Sequence, residues 1–190
     1  MNGKDVFYFA FGSNMLSSIF NGVRALSPLS VEAAVLRGYR IAFTEPGIPF
    51  FEPAFANIEK DDMAACEGVL YRITAEDLAH LDFTEGRGAY DIIDVAVVGS
   101  VSGAVAAKAF TSKITMEGLL PTRRYLQLLI DGARERGLSR EWIGMLENQP
   151  YVDRSRFAWL QPFLFRFAPI PLTILRNVRI AQARRRKKSD

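Results

Sequence analysis

The hydrophobic period of the chain changes at Pro121. Ahead of it, apolar residues gather in short runs of aromatic, β-branched or small side chains, among them residues 6–11, 66–73, 90–98 and 104–110. Runs of that length and composition read as buried or half-buried strands. Behind it, Tyr125, Leu128, Leu129 and Ala133 recur at helical spacing. Strands first and helices after predict an α+β fold with a twisted or barrel-like sheet.

Residues 36–44 form one more strand candidate. Residues 45–53 hold three prolines and a glycine, so they read as a loop. Thr74, with Asp77 three residues on, caps a short helix through Leu81. Residues 99–103 have the composition of a hairpin turn between two strands. The helix that opens at Pro121 stops at Gly137. Ser139 then caps a second helix, with Trp142, Ile143 and Leu146 on one face, which ends before Pro150.

A chain of 190 residues, 49% hydrophobic and 24% charged, suits one globular domain with an appendage. Its single cysteine, Cys66, excludes an internal disulfide and any multi-cysteine zinc site. Cys66 starts a strand and reads as a buried, inert thiol. The single histidine, His80, excludes paired-histidine metal sites and reads as a helix-surface residue. The N-terminal residues lack the long apolar core and small-residue cleavage site of a signal peptide.

The net charge of +3 hides two opposite halves. Residues 1–153 balance to −6, and residues 154–190 to +9. The acidic body does not suit a nucleic-acid partner.

Chemistry-bearing motifs are few. GxxxxGK[ST], GxGxxG, CxxC and HExxH patterns do not occur, so neither a nucleotide nor a metal site is expected. Ser13 lacks the GxSxG elbow of a nucleophilic serine. Asp61-Asp62 reads as a solvated turn. Two features remain. Gly12 directly follows the first strand, where a missing side chain allows a sharp turn or a close ligand. Glu85 lies in LDFTEG, between the short helix and a strand. It reads either as a solvated acid before a turn or as a partly buried carboxylate able to move protons.

Residues 8–14, YFAFGSN, resemble the YFAYGSN signature of the gamma-glutamylcyclotransferase family. Three further likenesses follow in order. LDFTEG resembles the family's Leu-Asp-x-x-Glu-Gly, whose glutamate is the catalytic acid/base. Tyr90 falls where a tyrosine follows that glutamate. PTRRYLQLLIDGARERGLSREW resembles the family's helix beginning Pro-x-x-x-Tyr. The likeness spans about residues 6–152.

The resemblance implies a mixed β-barrel with flanking helices over residues 1–152. It implies a cofactor-independent reaction, with no metal, on a small-molecule gamma-glutamyl substrate in the cytoplasm. The substrate's α-amine attacks its own gamma-carbonyl, pyroglutamate (5-oxoproline) closes, and an amine or amino acid leaves. Glu85 takes the catalytic role. Tyr8, Phe9, Ala10, Phe11, Gly12 and Ser13 become the glutamyl-binding loop, with Asn14, Tyr90 and Tyr125 also contributing to the substrate site. Phe11 stands where the family has a tyrosine, so that hydroxyl is absent. The rival from another class is a non-catalytic ligand-binding or membrane-tethered module that keeps the fold. A Glu85 side chain pointing outward would favour that rival.

The resemblance fades after Tyr151, and residues 153–190 form an aromatic, proline-rich and then basic extension. Prolines and Arg166 interrupt its apolar stretch, which argues against a spanning helix. Three readings stay open for residues 157–188. They pack on the barrel, lie in a membrane interface with the basic run on anionic headgroups, or cover a second subunit.

Overall fold

The structure, a computed structural model, describes residues 5–48, 51–85 and 90–153. Five strands are present: β1 (Val6–Ala10), β2 (Ser30–Ile48), β3 (Glu52–Ile73), β4 (Tyr90–Gly99) and β5 (Gly103–Ser112). They close a barrel in the order β1-β3-β2-β4-β5. Neighbours run antiparallel except at the seam, where β1 and β5 meet in parallel at Tyr8 and Lys108. Three helices flank it: α1 (Ala75–Thr84), α2 (Arg123–Glu135) and α3 (Arg140–Glu147). This is an α+β fold, as the order of periods predicts, and the mixed barrel with flanking helices that the family resemblance implies.

The strand pleat separates two sets of side chains. In β4, Val95 and Val97 are buried while Ile92, Asp94, Ala96 and Val98 face solvent. Carried through the register, the inward set includes Val95, Val97, Leu36, Cys66, Gly68, Leu70, Phe9, Ala107 and Ala109. The interior is filled because small residues make room for one ring. A Cβ on Gly68 would fall 2.7 Å from Phe9 Cζ and 2.4 Å from Ala10 O. Cys66 is fully buried there, and burial pushes its thiol well above the usual range, as an inert thiol requires.

The helices begin where the capping residues predict. Thr74 Oγ1 accepts from Asp77 N–H while Asp77 reaches back to Thr74 N–H. Ser139 Oγ accepts from Trp142 N–H, and Glu67 of β3 holds both the N–H and the hydroxyl of Ser139. Gly137, at φ +67, ends the preceding helical stretch. The α1 helix runs three residues past Leu81, which brings Glu85 to its C-cap.

The loop expected at residues 45–53 is corrected. β2 continues to Ile48 and β3 starts at Glu52, pairing Glu45 with Phe55, Pro46 with Ala54 and Ile48 with Glu52. Pro46 adopts extended backbone without an N–H to donate, and it follows a register shift between Ala42 and Glu45. The result is a hairpin arm that brings Glu52 to Thr122 at the start of α2 and Glu45 to Tyr90 at the start of β4. Asp61-Asp62 occupies a second register shift, opposite Gly38, where Met63 N–H donates to Asp61 Oδ1. The extension beyond Asp153 lies outside the described residues. Among the described residues no helix is long and apolar enough to cross a membrane.

Candidate active site

β1 ends at Ala10, and the chain turns at Gly12 into a 3-10 turn at Ser13–Met15. That turn is fastened from below. Tyr71 Oη donates to Asn14 O at 2.8 Å, and Arg136 Nε donates to Met15 O at 3.1 Å. The Arg136 guanidinium also lies over the Tyr71 ring. α2 meets the turn at Gly132, where a Cβ would stand 2.8 Å from Leu16 N. Burial pushes the Tyr71 phenol up to about 12, with Arg136 pulling the other way, so it stays a donor at neutral pH.

The fastened turn aims the Asn14 amide at two partners. Its Nδ2 donates to Tyr8 Oη at 3.1 Å and to Glu85 Oε1 at 2.9 Å. Arg24 completes a ring: Nη2 donates to Glu85 Oε1 at 2.7 Å, Nη1 to Thr84 O at 3.2 Å, and Nε to Asn14 Oδ1 at 3.4 Å. Glu85 is turned into the protein, with its side chain 19% exposed. Among the described residues no hydrogen bond reaches its Oε2. Burial and then the Glu85 charge push the Tyr8 phenol well above its ordinary range. Tyr8 is therefore a neutral hydroxyl, wedged between the Phe20, Tyr71 and Phe110 rings.

A second cluster gathers around Tyr125, on the first turn of α2. Thr122 caps that helix through Tyr125 N–H. Tyr125 Oη accepts from Ala56 N–H at 3.2 Å, on the hairpin arm. A Cβ on Gly12 would lie 3.4 Å from the same hydroxyl. Glu52 accepts from Thr122 N–H at 2.7 Å and from its hydroxyl. Burial raises the Glu52 carboxyl to about 7, opposed by those bonds and by Arg124. Burial pushes the Tyr125 phenol far up. Ala56 N–H works against this, and the charges of Glu45, Glu52 and Glu85 add to it. Three carboxylates thus act on one hydroxyl and link the two clusters.

The residues singled out in the sequence divide into groups. Tyr8, Asn14 and Glu85 form one contact set, and Gly12 meets Tyr125. Ala10 shares the outward face of β1 with Tyr8. Ser13 opens the 3-10 turn and, like Gly12, is partly exposed. Phe9 fills the barrel, and the Phe11 ring packs beside it, so neither is brought to Glu85 by its side chain. Tyr90 lies against Glu45, with its hydroxyl 2.5 Å from both carboxylate oxygens. His80 is exposed on α1, with Nε2 3.1 Å from Arg24 O.

Arg24, Tyr71, Glu45 and Glu52 were not legible as site residues. Tyr71 is one aromatic in a buried strand, and the two glutamates sit in a segment that reads as a loop. Arg24 follows a π-helical turn, Ser18–Val23, whose spacing matches no common template. Among the described residues no group of three or more His, Cys, Asp or Glu could hold a metal ion.

A family model described as the AIG2-like family matches residues 65–146. The chain is 29% identical over 164 residues to the gamma-glutamyl cyclotransferase gliK of Claviceps purpurea, covering 77% of this chain and 71% of that one. It is 26% identical over 146 residues to the gamma-glutamylcyclotransferase of Bos taurus, covering 74% and 77%. A solved gamma-glutamyl cyclotransferase structure superposes with a TM-score of 0.68 at 22% identity, over 78% of this chain and 90% of that one.

Proposed function

We propose that this chain, which belongs to the gamma-glutamylcyclotransferase (AIG2-like) family, is an enzyme that releases pyroglutamate from a gamma-glutamyl compound with Glu85 as acid/base. The observation that carries the reading is the Glu85 carboxylate, turned inward with Oε1 held by two donors and Oε2 unengaged by any described residue. A carboxylate held by one oxygen offers the other to a substrate proton.

The chemistry asks for three things. The first is a place for a cationic α-ammonium, and the charges of Glu45 and Glu85 that act on Tyr125 favour one there, with Glu52 adding to them in its ionised form. The second is a base. Glu85 removes a proton from the ammonium, the freed amine attacks the gamma-carbonyl, and a tetrahedral intermediate forms. The third is a set of donors for the oxyanion. The leading N–H groups of the 3-10 turn, at Gly12, Ser13 and Asn14, have no acceptor within the turn by its geometry, and they suit that task. Glu85 then returns the proton to the leaving nitrogen, the ring nitrogen gives up its second proton to the departing amine, and the lactam and an ammonium separate with Glu85 regenerated as a carboxylate. Attack is intramolecular, so holding the bent conformer is the main work left to Tyr8, Gly12 and Tyr125.

The test is pyroglutamate release from a panel of gamma-glutamyl dipeptides and gamma-glutamyl amines, wild type beside Glu85→Gln. Wild-type release with a loss of about 100-fold or more in the folded variant is the expected outcome. Equal release by both proteins rejects Glu85 as acid/base. No release from any member of the panel rejects the enzymatic reading.

A further inference from the structure

We infer that Arg24 is a positioning residue for the acid/base: it locks Glu85 through Oε1 and so reserves Oε2 for the reacting nitrogen. The inference rests on the reading of Glu85 as acid/base. Arg24 spends its planar donor fork on three acceptors from two elements: Glu85 Oε1, Thr84 O and Asn14 Oδ1. The contact with Asn14 Oδ1 also fixes which way that amide faces, since its Nδ2 must then point at Glu85 and Tyr8. Two independent donors thus converge on a single oxygen. A lysine could supply the charge but not the fork.

The local backbone is unusual at the same place. Arg24 N–H donates to Ile19 O at 2.9 Å, closing the five-residue spacing of a π turn. Ala25, the next residue, holds φ at 55°, a left-handed conformation that alanine rarely adopts. The surroundings enforce it. Asn21 Nδ2 donates to Leu26 O, Leu26 N–H donates to Phe20 O, and the Phe20 ring stacks on Tyr71 at 3.9 Å. An ordinary α-helical turn through Arg24 would aim its side chain elsewhere. The strained turn delivers the guanidinium to Glu85.

The experiment combines turnover with a contact readout. In Arg24→Ala, kcat should fall about 100-fold with KM within about threefold of wild type. Arg24→Lys should recover about a tenth of wild-type kcat. Guanidinium ion at about 50 mM should restore turnover at least about fivefold to Arg24→Ala and leave Glu85→Gln unchanged. Independently of turnover, the Asn14 side-chain amide signals in 15N NMR should move in Arg24→Ala as they do in Glu85→Gln. Should Arg24→Ala not fold, Arg24→Lys and Arg24→Gln carry both readouts. Unchanged kcat, a loss confined to KM, or unmoved Asn14 signals would each overturn the inference. A wild type that cyclises no substrate rejects the enzymatic reading, and the Asn14 signals then decide on Arg24 alone.

Discussion

The Tyr90 hydroxyl lies 2.5 Å from both carboxylate oxygens of Glu45. One phenol therefore ties the start of β4 to the hairpin arm, and it does so on a side chain that is 1% exposed. Tyr90→Phe takes a donor from a buried carboxylate. It should cost about 1–3 kcal/mol in urea unfolding. The double variant Tyr90→Phe with Glu45→Leu should recover part of that loss, because it removes the buried charge along with its donor.

Gly12 separates the loop from Tyr125 by one missing methyl group. Its φ of −105° lies outside the left-handed region, and a Cβ would sit at ordinary contact distances. Gly12→Ala should therefore cost no more than about 1–2 kcal/mol of stability, set by the backbone and not by a clash. It should raise KM about tenfold or more, because the methyl stands where a ligand would meet the Tyr125 hydroxyl. Steady-state kinetics beside a thermal melt separates the two effects. Gly132→Ala is the opposite case. Its Cβ would come within 2.9 Å of Met15 Cβ, so the loss should appear first in stability.

Asn14→Asp keeps the shape of the side chain and reverses its chemistry. A carboxylate there would face Glu85 and compete with it for Arg24. Turnover should fall about 100-fold at neutral pH, further than in Asn14→Ala, which removes the donor without adding a like charge. Similar rates for the two variants in a pyroglutamate-release assay would contradict the hydrogen-bond ring as drawn.

Glu52 gives the fold a pH dependence of known sign. Its carboxyl is raised from 4.5 to about 7 by burial. A group raised in the folded state binds protons there that the unfolded chain releases. Its stabilising contribution is complete below pH 4.5 and is lost as pH rises through about 7. The full swing is on the order of 3 kcal/mol. Urea unfolding from pH 4.5 to pH 8 should show wild type losing stability relative to Glu52→Gln, with the gap levelling above pH 7. A constant gap across that range would mean that the Thr122 and Arg124 contacts cancel the burial effect.

Short-range chemistry was the legible part of this chain. Thr74, Asp77, Ser139 and Gly137 announce helix ends because caps are local. The aromatic run before Gly12 announces a buried strand for the same reason. The hairpin arm was illegible because Pro46, Gly47 and Pro53 have the composition of a loop, while the pairing that overrides it comes from β3. Glu85 stood out through its segment, and Arg24 did not. Its role depends on a π turn, a left-handed alanine and a helix end 60 residues away at Thr84. None of these leaves a periodic trace.

Tyr8 and Phe9 are adjacent in sequence and look in opposite directions. One face of β1 therefore speaks to Asn14 and Glu85, while the other is sealed around Gly68. A substitution scan along this strand should alternate residue by residue, first in reaction rate and then in melting temperature. Phe9→Ala should cost about 3–5 kcal/mol, with any loss of rate following from unfolding. A slip of a single residue against β3 would exchange the two audiences, sending the phenol into the barrel and the bare ring toward the carboxylate. Correct pairing of five residues with Arg72 and its neighbours is thus the step at which the chain commits to both a shape and a chemistry.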